Sequence, residues 1–191
     1  MTELVDIVLA IERALDRADV PHAFGGAIAL GFHIMEPRAT RDIDVNCFVL
    51  AENARSTFEV LPPEIAWTEK DVATVERDGQ LRVFWSDTPV DLFFTNHPFH
   101  ERAAANVEDA PFVAGTTIPI LGANDLAVFK AYFNRTRDWA DIEAMIEAGT
   151  VDLHEVIGWI VDLLGPSDGR VARLRALLDG PPPGEEPRFA P

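Results

Sequence analysis

The sequence predicts a mixed α/β fold: a small mixed β-sheet with flanking helices, followed by a helical C-terminal third. Three observations predict it. Short runs rich in Val, Ile and Phe, at 43–50, 81–85 and 90–94, alternate with segments of helical spacing. From residue 123 to residue 179 only helical spacing recurs. The apolar fraction of 48% over 191 residues supplies a core of ordinary size. The expected division is an α/β core over 1–121, a helical region over 122–180 packed on that core, and a flexible proline- and glycine-rich tail over 181–191.

Each element has a local reason. Leu4, Ile7, Val8, Ile11, Leu15 and Ala18 recur at three- and four-residue intervals and predict an amphipathic helix over 3–19. Glu3 and Asp6 lie at the end of it that favours negative charge, and Pro21 follows its end. His22 to Phe24 is a short extended entry into Gly25-Gly26. Small apolar residues from Gly26 to His33 predict a buried helix, stopped by Pro37. Arg38 to Arg41 is a polar approach to a strand over 43–50, and 51–60 predicts another short helix. In the middle, Val72 to Glu76 reads as a strand, Asp78-Gly79 as a hairpin turn and Leu81 to Trp85 as its partner. Val90 to Phe94 is a further strand. Residues 97–109 read as a loop with one or two helical turns, and Phe112–Val113 and Thr117–Leu121 as edge segments around Gly115. Four helices follow, over 123–134, 138–147, from Asp152 to before Pro166, and over 168–179.

Charge and composition exclude several classes. The formal net charge of -16 excludes a broad, non-specific grip on nucleic acid, which needs a positive surface. It leaves room for a nucleotide neutralised by divalent cations, and for a basic protein partner. No apolar run approaches the roughly 18 residues of a membrane span. No basic region followed by an apolar run opens the chain, and a cytoplasmic location is the default expectation. The single cysteine, Cys47, excludes an internal disulfide and reads as a small buried group in a strand.

The chemistry centres on carboxylates. Strand alternation puts Asp42 and Asp44 on one face and turns Ile43 and Val45 into the core. Two carboxylates this close repel unless they are exposed, one is protonated, or a cation sits between them. A solvated strand end is the plain alternative. Asp91 is a lone acid in the apolar run TPVDLFF and needs a partner or a site, unless it faces water on an edge. Beside the Asp42 strand it completes a triad of hard oxygen donors suited to Mg2+ with triphosphate oxygens. The expected reaction is displacement at the α-phosphorus of a nucleoside triphosphate, with two Mg2+ ions and release of pyrophosphate. A metal-dependent phosphate hydrolase would use the same groups.

Gly25-Gly26 lets the backbone approach a ligand, and the following helix aims free N–H groups at anions; an ordinary tight turn reads the same way. Thr40 is a donor to phosphate or a backbone cap. Arg38 steadies phosphate or offsets the aspartates, and Arg41 falls on the other face by alternation. Lys130, on an apolar helix, either reaches phosphates or forms a salt bridge to Asp138 or Asp141. Asp138 also suits a helix start. His97 and His100 lie just past the Asp91 strand, and the five histidines form no metal-ligand spacing.

Taken together, GGAIAL, RATRDIDV, VDLFF and LAVFKAYFNRTRDWADIEAM resemble the nucleotidyltransferase fold of the DNA polymerase beta superfamily. Within it they resemble the small bacterial nucleotidyltransferases related to AbiEii toxins of abortive-infection and toxin–antitoxin systems. The likeness runs from about residue 20 to residue 147. It implies catalytic and metal-binding roles for Asp42, Asp44 and Asp91, and nucleotide-binding roles for Gly25, Gly26, Arg38, Thr40 and Lys130. It implies supporting roles for Arg137, Asp138 and Asp141. It also implies transfer of a nucleotidyl group from an NTP to a hydroxyl on a small molecule, protein or RNA. The short, acidic chain departs from the longer, more basic toxin relatives. That favours a small-molecule or protein acceptor, and admits a degenerate member that keeps the fold as an interaction or regulatory protein.

Overall fold

The computed structural model describes residues 3–179. The expected tail over 181–191 lies outside them. The chain divides between Gly122 and Ala123 into two compact units.

The first unit is built on a six-stranded mixed sheet. Its strands are β1 (His22–Phe24), β2 (Ile43–Leu50), β3 (Gln80–Trp85), β4 (Thr88–Thr95), β5 (Glu108–Val113) and β6 (Thr116–Ile120), in the order β3-β4-β2-β1-β6-β5. Its helices are α1 (Leu4–Arg17), α2 (Gly26–His33), α3 (Ala54–Val60), α4 (Glu69–Asp78) and α5 (Phe99–Ala105), with a 3-10 turn at Ala51–Asn53. The pleat separates two faces. Val83, Val90 and Ile43 are register partners across β3, β4 and β2, and all three are buried. Leu92 and Val45 repeat the pattern one step on. Phe58 of α3 covers this face, its ring 5.9 Å from Phe94. Ile7, Val8, Ile11 and Leu15 bury one stripe of α1, as the spacing predicts. His22 joins α1 to β1: its Nδ1 donates to the Val20 carbonyl at 2.8 Å and its Nε2 meets Glu12 at 2.6 Å.

The middle of the unit differs from the sequence reading. Residues 72–76 are helical, inside α4, not a strand. Thr68 and Asp71 supply a capping box, with the Thr68 backbone N–H and hydroxyl both 2.7 Å from Asp71 Oδ2. Val72 and Val75, three apart, are the buried stripe of a single helical face. Gly79 is the left-handed C-cap, at φ +71°, not a hairpin turn. The hairpin joins β3 to β4 through Ser86-Asp87, with Trp85 opposite Thr88. Residues 99–105 form α5, a helix of 7 residues and about two turns, within the stretch expected to be a loop with one or two helical turns. His97 and His100 are used there: the Phe99 N–H donates to His97 Nδ1 at 3.1 Å, and His100 Nδ1 donates to the His97 carbonyl at 3.2 Å. Of the two expected edge segments, β5 is an edge strand and β6 is interior, between β1 and β5.

The second unit contains α6 (Ala123–Phe133), α7 (Thr136–Glu147), α8 (Leu153–Leu164) and α9 (Gly169–Asp179). Trp139, Ile142, Met145, Val156, Ile160, Val171 and Leu174 are its apolar interior. Asp152 caps α8, accepting from the His154 N–H at 2.9 Å, and Gly165 ends it. Among the described residues no helix is long and apolar enough to cross a membrane.

The corrected reading of α4 has a direct check. A Cβ at Gly79 would lie 2.2 Å from Asn96 Nδ2, at a backbone angle unfavourable to L side chains. Gly79→Ala is expected to lower stability by about 1–3 kcal/mol in urea unfolding; an unchanged midpoint would contradict the left-handed cap.

Candidate active site

Three neighbouring strands place charges in one row. In the parallel pairing of β2 with β4, Asp44 lies directly opposite Asp91. In the antiparallel pairing of β4 with β3, Asp91 lies directly opposite Arg82. Side chains directly opposite share a face of the sheet, so Arg82, Asp91 and Asp44 stand side by side. Their neighbours Val83, Val90 and Ile43 fill the buried face. Asp42 sits one residue before β2, and Thr40 holds it: the Thr40 hydroxyl donates to Asp42 Oδ1 at 2.7 Å.

Arg82 meets the carboxylates. Its Nε donates to Asp91 Oδ1 at 2.7 Å and its Nη2 to Asp91 Oδ2 at 2.6 Å, a bidentate fork. The same Nη2 is 3.8 Å from Asp42 Oδ2. Side-chain exposure is 51% for Arg82, 26% for Asp42 and 18% for Asp91, so the pairs are partly screened by solvent. The hydrogen bonds it donates to Asp91 hold the guanidinium pKa above its ordinary value against the cost of burial, with added attraction from Asp91, Asp42 and Asp44. Sequence reasoning missed Arg82. The signal was present: a two-residue turn at Ser86-Asp87 sets Trp85 against Thr88, and counting outward sets Arg82 against Asp91. Arg38 and Arg41, read as the offsetting cations, are exposed on the approach to β2.

The glycine pair closes on the same row. The Gly25 N–H donates to the Asp44 carbonyl at 2.9 Å. Gly26 begins α2 at φ +52°, and a Cβ there would lie 1.8 Å from Asp44 Oδ2. Only a hydrogen in place of a side chain lets the Asp44 carboxylate stand this close to the first turn of α2. That end of a helix favours negative charge. The first unit therefore brings together Gly25, Gly26, Thr40, Asp42, Asp44 and Asp91.

Lys130, Arg137, Asp138 and Asp141 belong to the second unit. Lys130 is buried and its Nζ donates to Asp141 at 2.7 Å, one of the two roles expected of it. Asp138 is fully buried at the start of α7. It accepts from the Arg135 N–H at 3.0 Å and from Arg135 Nε at 2.7 Å. Arg137 is exposed, and the guanidinium on Asp138 is that of Arg135.

The site's fit to a metal has two sides. By chemistry, three half-buried carboxylates with no nitrogen or sulfur donor suit a hard divalent cation. By arrangement, among the described residues no three His, Cys, Asp or Glu side chains are grouped as a metal would need. The Arg82 guanidinium lies between Asp42 and Asp91. By their donor chemistry Asp42, Asp44 and Asp91 are the residues that would hold a divalent cation.

No protein-family model matches the sequence, and comparison with the curated proteins finds no match. Solved structures do match, and the likeness to one of them shows the fold: the chain has the nucleotidyltransferase fold. One similar structure is the crystal structure of ANT(2")-Ia in complex with adenylyl-2"-tobramycin, at 13% identity and a TM-score of 0.58, covering 91% of this chain and 98% of that one. Another is an antigenic nucleotidyltransferase-like protein from Paracoccidioides brasiliensis, at 15% identity and a TM-score of 0.49, covering 92% of this chain and 87% of that one. The fold assignment rests on the first.

Two measurements check the local geometry. Gly26→Ala is expected to cost about 1–3 kcal/mol in urea unfolding, because the new methyl displaces Asp44. Cys47 is buried on β2, and burial pushes its thiol pKa up to about 12. It is expected to resist a thiol reagent at pH 8 in the folded protein and to react on unfolding; prompt native-state labelling would contradict its placement.

Proposed function

We propose that the protein is a metal-dependent nucleotidyltransferase. It moves an NMP group from an NTP to a hydroxyl of an acceptor and releases pyrophosphate. The observation that supports this most is the register that sets Asp44 beside Asp91, with Asp42 one turn of the pleat away and Gly25-Gly26 closed against Asp44.

Each residue has a task in this reading. The N–H groups of the first turn of α2 and the Gly25-Gly26 backbone receive the triphosphate. Thr40 fixes the Asp42 carboxylate. Asp42, Asp44 and Asp91 would hold two divalent cations. When bound, those cations neutralise the phosphates and orient the attacking and leaving oxygens in line. The acceptor oxygen forms a bond to the α-phosphorus, the α–β phosphoanhydride bond breaks, and the hydroxyl proton passes to Asp91. Arg38 is the further cation we propose for phosphate.

The charge of -16 favours a small-molecule or protein acceptor over RNA. Tobramycin is a natural first probe, since the structure of ANT(2")-Ia contains its adenylyl derivative. A cytoplasmic setting, where NTPs and Mg2+ are available, belongs to the same proposal. A second reading is favoured by one observation, the bidentate hold of Arg82 on Asp91. In it the fold is kept as an interaction or regulatory protein, for example within a toxin–antitoxin pair, and the carboxylates serve a structural ion pair.

The test is incubation with each α-labelled NTP and Mg2+ or Mn2+, with tobramycin, other hydroxyl acceptors and the protein itself as acceptors. Label is expected on an acceptor with equimolar pyrophosphate. Asp44→Asn is expected to lower transfer by about a thousandfold while remaining folded. Full transfer by the Asn variant would sink the mechanism. Free labelled NMP without labelled acceptor would identify a hydrolase, and no turnover or Mg-NTP binding would support the regulatory reading.

A further inference from the structure

We propose that Asn46 is a further nucleotide-binding residue, whose side-chain amide donates to a phosphate oxygen of the NTP at the first turn of α2. This rests on the nucleotidyltransferase reading and adds one side chain to its phosphate site.

Asn46 lies two residues after Asp44 on β2, so it projects from the same face of the sheet. It is 3% exposed. Its cross-strand neighbours on that face are Ala23 of β1 and Phe93 of β4. A methyl group and an aromatic ring offer an amide no hydrogen bond. Among the described residues the Asn46 amide has no hydrogen-bond partner. The one side-chain polar atom there that is both sealed from solvent and unpartnered is Thr57 Oγ1. The Asn46 amide is therefore not sealed, and the small exposed part of the residue includes its polar end. Burying an amide without a partner is costly, so a group that stays in this condition is one whose partner comes from outside the chain.

Gly25 fixes where the amide points. A Cβ at Gly25 would lie 2.9 Å from Asn46 Nδ2, closer than to any other atom. Gly26 makes the same allowance for Asp44. The glycine pair is thus seated on the ends of two β2 side chains, one an amide and one a carboxylate. Gly25 is also the N-cap of α2, and no side chain caps the helix there. The N–H groups of that first turn and the amide beside them call for the same acceptor, an oxygen that carries negative charge. Asp44 repels such an oxygen. A lysine or arginine at position 46 would be captured by Asp44 and would bury a second charge. An amide donates to phosphate and adds no charge.

The test separates a ligand contact from a structural one. Inorganic triphosphate is titrated calorimetrically, in Mg2+ buffer, into the full-length protein, Asn46→Leu and Asn46→Asp. Far-UV circular dichroism and urea unfolding are recorded on each. Asn46→Leu keeps the branched shape without the donor. It is expected to bind triphosphate about tenfold more weakly than the parent, with its urea midpoint unchanged or raised, because no hydrogen bond within the protein is lost. Asn46→Asp keeps the shape, removes the donors and adds a negative charge, and is expected to bind more weakly still. Parental affinity in either variant, or a lowered midpoint in Asn46→Leu, overturns the role of Asn46; nucleotidyl transfer by the parent then leaves the transfer reading standing. No triphosphate binding and no transfer by the parent overturns both.

Discussion

The first unit depends on one constraint: β2 and β4 must pair so that their apolar residues meet on one face, and that pairing forces Asp44 beside Asp91. The energies decide which row leads. Each fully buried aliphatic side chain is worth about 1.5–3 kcal/mol. An exposed or half-exposed ion pair is worth below about 1 kcal/mol. Slipping β2 by one residue would turn Ile43, Val45 and Cys47 outward and Asp44 into the core. The buried face therefore sets the register, and the charge row follows from it. Arg82 then relieves a repulsion that the packing has created.

Gly26 is part of the same constraint. β1 pairs with β2 with Phe24 opposite Val45, which brings the start of α2 down onto Asp44. The approach leaves no space for a Cβ. A carboxylate pressed against the positive end of a helix, beside a second carboxylate, is an arrangement the fold maintains through backbone geometry. Thr40 performs the matching task for Asp42 through a short local hydrogen bond.

The second unit solves its charge problem internally. Asp138 and Lys130 are buried, and a buried charge without a partner would cost several kcal/mol, on the order of 3–5. Arg135 satisfies Asp138 and Asp141 satisfies Lys130. Trp139 adds a bond from its Nε1 to Asn134 at 2.8 Å, and the Arg173 guanidinium lies 4.2 Å from its ring centroid. Asn124 joins α6 to α8, accepting from the Asp152 N–H at 2.8 Å and donating to Glu155. These contacts hold four short helices in one body where apolar packing alone would leave charges buried and unpaired.

Local physics made much of this legible in the residues. α2, β2 and β4 were readable because apolar spacing and flanking prolines and glycines act within a few positions. The same local reading failed at Val72 to Glu76, where two valines three apart fit a helical face and not strand alternation, and the deciding partner, the Thr68–Asp71 cap, lies outside the run. It failed at Asp78-Gly79, because a left-handed glycine looks alike in a hairpin and at a helix end. The sequence by itself determined that the chain carries acids on apolar strands, and where along the chain they lie. Only the tertiary structure decided which cation meets them. Strand register set Arg82, and not Arg38 or Arg41, on Asp91, and helix-start geometry set Arg135 on Asp138; both bring together groups whose nearness the order of residues leaves open.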